Sequence, residues 1–107
     1  MDKQIDNIVK HAEVSEKAIE RYLVEAIKSL GGICLKYSNP GMVGYPDRVA
    51  LLPGGKTVWI ELKSKGRHPS RIQRTRFAQM ASKGHPVHIA DSKESINEIL
   101  KPFHHDL

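Results

Sequence analysis

Cysteine is nearly absent from this 107-residue chain, occurring only as Cys34. A disulfide within the chain is therefore excluded, and a cysteine-based zinc site lacks ligands. Long apolar runs are missing too: none approaches the ~20 residues that span a bilayer. The opening MDKQIDNIVK has no apolar core of the kind a secretory signal needs. No Gly-rich phosphate loop of the P-loop type and no G-x-S-x-G elbow occurs. These absences predict a cytoplasmic protein with no membrane partner and no small-molecule cofactor. Acidic side chains are missing from one stretch in particular. Between Lys63 and Arg76 there are six basic residues and no acidic one. The formal net charge is +5. Residues 1–30 hold five basic and six acidic side chains, whereas residues 31–107 hold twelve and six. A polyanionic partner is the natural reading of that asymmetry, against a merely solvated basic face.

The length is that of one domain, able to bury roughly two-thirds of the surface its unfolded chain exposes. Residues 1–14 read as an extension or a short leading helix, and residues 15–107 as a single domain. Ile19, Tyr22, Leu23, Ala26, Ile27 and Leu30 recur at three and four residues and predict an amphipathic helix. Ser15 is placed to cap its start, and Gly31-Gly32 to end it. Strands are predicted over 33–37, 47–52 and 57–63, the last two joined by a Pro-Gly-Gly turn into a hairpin. A helix is predicted from about Ser70 to Gly84, with Phe77, Met80 and Ala81 inward. A fourth strand over 85–91 and a last helix, started by Asp91 or Ser92, complete the order. The return from a hairpin through a helix to another strand predicts an α/β fold with a mixed sheet flanked by helices.

Chemistry concentrates on the hairpin. Strand side chains alternate faces, so Glu61 and Lys63 point one way while Val58, Ile60 and Leu62 point toward the core. The turn brings Asp47 beside Glu61. Two carboxylates and an ammonium in one small space suit phosphodiester cleavage. Carboxylates are hard ligands for Mg²⁺ or Mn²⁺, and such an ion polarises the phosphoryl oxygen and lowers the pKa of bound water. Taken alone, however, an E-x-K pair on a strand is more often a cross-strand salt bridge.

The Gly44-Tyr45-Pro46-Asp47-Arg48 turn, Pro53-Gly54-Gly55, Trp59-Ile60-Glu61-Leu62-Lys63, Gln73 and Gly84 occur in this order. Together they closely resemble the VRR-NUC domain of the PD-(D/E)XK nuclease superfamily, over about residues 15–92. The resemblance also takes in the Gly-Gly helix end and the lysine of Leu35-Lys36-Tyr37. It implies a restriction-endonuclease-like α/β sandwich with a mixed four-stranded sheet. It implies Mg²⁺- or Mn²⁺-dependent cleavage of DNA, selective in some members for branched DNA such as four-way junctions. Small stand-alone members occur in phages and prophages, so the cytoplasm is that of a bacterial host. Such members are associated with homodimers.

On this resemblance Asp47, Glu61 and Lys63 are the catalytic Asp, Glu and Lys. Gln73 is the family's glutamine on the following helix, and the Leu62 carbonyl completes the metal's coordination. An acid from the first helix, Glu16 or Glu20, serves the metal directly or through water. At about 100° per residue, Glu16 lies within the apolar stripe and Glu20 at its edge. Glu16 has a separate explanation as a first-turn acid, which favours Glu20. Gln73 also completes a capping box with Ser70. Lys36, Arg48, Lys65, Arg67, Arg71, Arg74 and Arg76 read as a set of phosphate contacts. Two alternatives stay open: a DNA-binding module without catalysis, and a subunit that cuts only with a partner. His85 and His88, three apart on a strand, face opposite ways and do not make a zinc site. His104-His105 read as an exposed tail, Cys34 as a small strand residue, and Trp59 as core packing, under the first helix or beside the site.

Overall fold

The computed structural model describes the backbone of residues 2–106 and the side chains of residues 16–104. Three α-helices and four strands follow in the order α1 (Asp2–Ser29), β1 (Ile33–Lys36), β2 (Arg48–Leu52), β3 (Lys56–Leu62), α2 (Arg71–Ser82), β4 (Val87–Ala90) and α3 (Lys93–Leu100). A 3₁₀ segment, Lys101–Asp106, comes last.

The sheet order is β1-β2-β3-β4. β1 and β2, and β2 and β3, pair antiparallel; β3 and β4 pair parallel. The tight Pro53-Gly54-Gly55 turn permits the antiparallel pair, and α2 supplies the crossover that a parallel pair requires. This is the expected mixed α/β sheet.

One sheet face is the core. Ala50, Leu52, Val58, Ile60 and Ala90 are buried there against Ile19, Leu23, Ile27 and Leu30 of α1 and Ile96 and Leu100 of α3. Leu23, Ile27, Ile60 and Ile96 are fully enclosed, each contributing about 1.5–3 kcal/mol by removal from water. The opposite face is far barer. Ile33 is 58% exposed, Leu35 and Leu51 43% each.

Several boundaries differ from the sequence reading. Ser15 caps nothing, because α1 runs through it from Asp2. No Gly or Pro interrupts residues 2–29, so nothing breaks the helix there. The Gly-Gly stop holds: Gly31 takes φ +82°, and the Gly32 amide donates to the Ile27 carbonyl at 2.9 Å. Ser92, rather than Asp91, caps α3. α2 buries no residue completely; Ala81 is exposed, and Phe77 and Met80 are only half-buried. The helix leans on β4 at the sheet's rim, outside the α1–α3 layer. Trp59 is half-buried on the barer face, edge-on to Tyr37 with ring centres 5.2 Å apart. It is not beneath α1, which packs on the other face.

Candidate active site

β2 and β3 are in register with Arg48 opposite Ile60. One step further along the ladder Asp47 falls opposite Glu61. The Leu62 amide donates to Asp47 Oδ1 at 3.1 Å, which fixes that carboxylate at the end of the hairpin. The Tyr37 amide donates to the Asp47 carbonyl at 2.8 Å and ties the same residue to β1. Burial, then the neighbouring Glu61 charge, pushes the Asp47 carboxyl up to about 6.

Glu61 is only 4% exposed. Its Oε2 accepts from Gln73 Nε2 at 2.8 Å and lies 3.0 Å from Lys63 Nζ. Its Oε1 is buried with no hydrogen-bond partner. A buried acceptor left unpaired is costly, and a cation would satisfy it. Gln73 makes the expected capping box with Ser70 and also contacts Glu61. Its backbone amide donates to Ser70 Oγ at 3.2 Å and its Oε1 accepts from the Ser70 amide at 3.0 Å, while its Nε2 holds Glu61.

A cleft of about 420 Å³ opens between α1 and this hairpin end, lined by Glu16, Lys17, Glu20, Asp47 and Leu62. A second depression shares Glu16 and Leu62 and continues past Lys63, Ser64, Arg67 and His68. Leu62 packs against the core as expected, half-buried, and its other side helps form the cleft. Both candidate first-helix acids reach it. Glu16 accepts from Ser64 Oγ at 3.1 Å, and Glu20 pairs with Arg48 at 3.1 Å. Among the described residues no three His, Cys, Asp or Glu side chains gather closely enough to hold a metal. A third carboxylate beside the Asp47–Glu61 pair is therefore not seen among the described residues.

The basic set divides. Arg48 is not a surface contact for phosphate: it is buried and committed to Glu20. It shares its strand face with Ala50 and Leu52, so alternation already pointed it toward α1. Arg76 is half-buried, with Nε donating to the Val43 carbonyl at 3.1 Å and its guanidinium 5.4 Å from the Tyr45 ring. Arg74 donates to the Pro69 carbonyl at 2.8 Å. Lys65 turns to a separate hollow near Asp91 and Glu94. Lys36, Arg67 and Arg71 are exposed. Burial pushes the Cys34 thiol up, which suits a packing residue and not a nucleophile. His104 is exposed, and the side chain of His105 lies outside the described residues. Nothing in the residue spacing singles out Lys17, Ser64 or His68, which converge on the cleft only through the packing of α1 on the sheet.

Two comparisons bear on this arrangement, while no family model matches the chain. The chain is 37% identical over 81 residues to a protein of Acyrthosiphon pisum secondary endosymbiont phage 1 named "Putative nuclease p44", covering 76% of this chain and 87% of that one. A solved structure of a VRR_NUC domain superposes with a TM-score of 0.77 at 25% identity, over 81% of this chain and 95% of the other. The chain belongs to the VRR-NUC nuclease family, as a small phage-type member. The four-stranded sheet with its helices is thus the restriction-endonuclease-like fold of a VRR-NUC domain, and a nuclease of that fold implies a divalent metal cofactor. No helix among the described residues is long and apolar enough to cross a membrane.

Proposed function

We propose that this VRR-NUC protein is a Mg²⁺- or Mn²⁺-dependent endodeoxyribonuclease that acts on branched DNA, such as four-way junctions, in the cytoplasm of a bacterial host. The observation that carries the reading is the buried Glu61 carboxylate, with one oxygen unpartnered, beside an Asp47 carboxyl raised to about 6. Two desolvated carboxylates repel one another, and a divalent cation relieves both the repulsion and the missing contact.

Asp47, Glu61 and the Leu62 carbonyl would hold the metal, with Glu20 or Glu16 reaching it through water. When bound, the ion supplies Lewis-acid stabilisation of charge on the phosphoryl oxygens and a more acidic bound water. Lys63, anchored on Glu61, orients the attacking water and offsets the charge that develops as its oxygen bonds to phosphorus. The bond from phosphorus to one ester oxygen then breaks; the attacking water gives up a proton to solvent, and the leaving oxygen takes one from solvent. Gln73 holds Glu61 beside Asp47 and Lys63, and Arg48 keeps Glu20 at the cleft's rim. Arg67 beside Lys63 and the exposed Lys36 and Arg71 bind flanking phosphates.

The homodimer reading is supported by the barer sheet face. Ile33 sits opposite Leu51 in the β1–β2 register, with Leu35 two residues along, and all three are exposed apolar side chains. Contiguous apolar surface of this kind suits a partner of the same shape.

Labelled four-way junction, flap, single-stranded and plain duplex DNA, each with Mg²⁺, Mn²⁺ or EDTA, test the reading. Cutting of branched DNA with metal, and none in EDTA, is the expected result. Equal cutting of all four substrates would remove the structural selectivity, and cutting in EDTA would remove the metal.

A further inference from the structure

Residues 38–46 connect β1 to Asp47 as an irregular loop, and its tip does not behave as ordinary solvated chain. Met42 is 46% exposed and Val43 65%; across from them on α2, Ile72 is 42% exposed. Polar residues would be expected at an exposed loop tip. The backbone beneath the tip is nevertheless firmly held. The Met42 amide donates to Asn39 Oδ1 at 3.1 Å, and Asn39 Nδ2 donates to the Tyr37 hydroxyl at 3.2 Å. Arg76 Nε holds the Val43 carbonyl on the far side. Gly44, with φ +97°, lies so close to α2 that a Cβ there would meet Arg76 Cγ at 2.9 Å and Ile72 Cγ1 at 3.0 Å. Pro46 behind it is fully buried. The loop is therefore a braced projection, four residues before Asp47, that presents apolar side chains to solvent.

Its surroundings select the occupant. No acidic residue occurs in 26–46 or in 62–90, so the loop and α2 carry cations, among them Lys36, Arg71 and Arg74, and no acid of their own; the acids beside them are Asp47 at the loop's end and Glu61 against Gln73. A second copy of this chain would bring two such cationic borders together. A nucleic acid meets the same surface favourably: phosphates against the border, an unstacked base against the apolar tip.

Given the nuclease reading, we propose that Met42 and Val43 form a wedge that inserts at a weakened base step, as at a branch point, and guides the freed strand to Asp47. Apolar side chains braced among cations are the usual means by which proteins unstack a base step. Duplex DNA away from a branch resists such insertion because both flanking stacks must be broken. The wedge thus gives a physical source for selectivity toward branched over continuous duplex.

The test places 2-aminopurine at the branch of a four-way junction or in the middle of a plain duplex, and reads its fluorescence on adding protein in EDTA. A severalfold rise at the branch and little in the duplex is expected. Met42→Ser with Val43→Ser should abolish the rise and weaken junction binding by roughly tenfold. Met42→Leu with Val43→Ile should restore both, which excludes a folding defect as the cause. An unchanged rise in the serine variant, or none with the natural chain, overturns the wedge. So does a shift from dimer to monomer mass in the serine variant, which would assign the tip to a second copy. Because the signal needs no cleavage, failure of the wedge is distinguishable from failure of the nuclease reading, which would appear as no cutting of any DNA with either metal.

Discussion

Asp47 carries the most unusual proton chemistry among the described residues, and its consequence for stability has a definite sign. Its carboxyl titrates near 3.8 in the unfolded chain and about 6 when folded. Between those values the folded state holds the extra proton, so stability present below about pH 4 is lost as pH rises through 6. Thermal melts of metal-free protein and of Asp47→Asn should therefore diverge. The variant becomes the more stable of the two as pH passes from 4 to 7, and parallel curves would refute the assignment. This residue was also the most legible. A Pro-Gly-Gly turn fixes the register of a hairpin, and the register alone brings Asp47 to Glu61. Arg48 was misread as a phosphate contact because charge outweighed its strand parity, which already placed it with Ala50 and Leu52.

The first turn of α2 couples an ordinary helix cap to the site. Ser70 and Gln73 satisfy each other's backbone, and the spare end of Gln73 holds Glu61. The two functions are separable. Ser70→Ala should cost about 1 kcal/mol of stability, as cap losses do, with little change in metal affinity. Gln73→Ala should lower cleavage by about 10–100-fold, the usual loss when a ligand's supporting partner is removed. Denaturant melts and single-turnover cleavage read the two quantities independently; equal effects of both changes on cleavage would show that the cap, not the amide, matters. The capping pattern made Gln73 readable in sequence. The poor burial of α2 was not, because periodicity states which face is apolar and says nothing of how closely a neighbouring layer approaches it.

For the whole molecule, charge and apolar surface lie in different places. The barer β1–β2 face carries Ile33, Leu35 and Leu51, while Lys63, Arg67 and Arg71 follow the hairpin toward α2. Sedimentation at micromolar concentration should give a dimer for the natural chain and a monomer for Leu35→Asp; a natural monomer would contradict the pairing proposed for this face. The mixed sheet followed from the order of the elements. Which sheet face stays open did not, since alternation supplies two apolar faces and only the path of α1 and α3 decides which is covered.

The most direct test of the catalytic centre pairs Mn²⁺ binding by calorimetry with cleavage of a four-way junction, for the natural chain and for Lys63→Ala. Lys63 touches Glu61 but is no metal ligand in this account, so the variant should still bind Mn²⁺ while its cleavage falls by at least about 100-fold, the lower range for loss of a group that stabilises developing charge. Cleavage that survives in Lys63→Ala with metal binding intact would contradict the assignment of the Asp47, Glu61 and Lys63 cluster as the centre that cuts DNA.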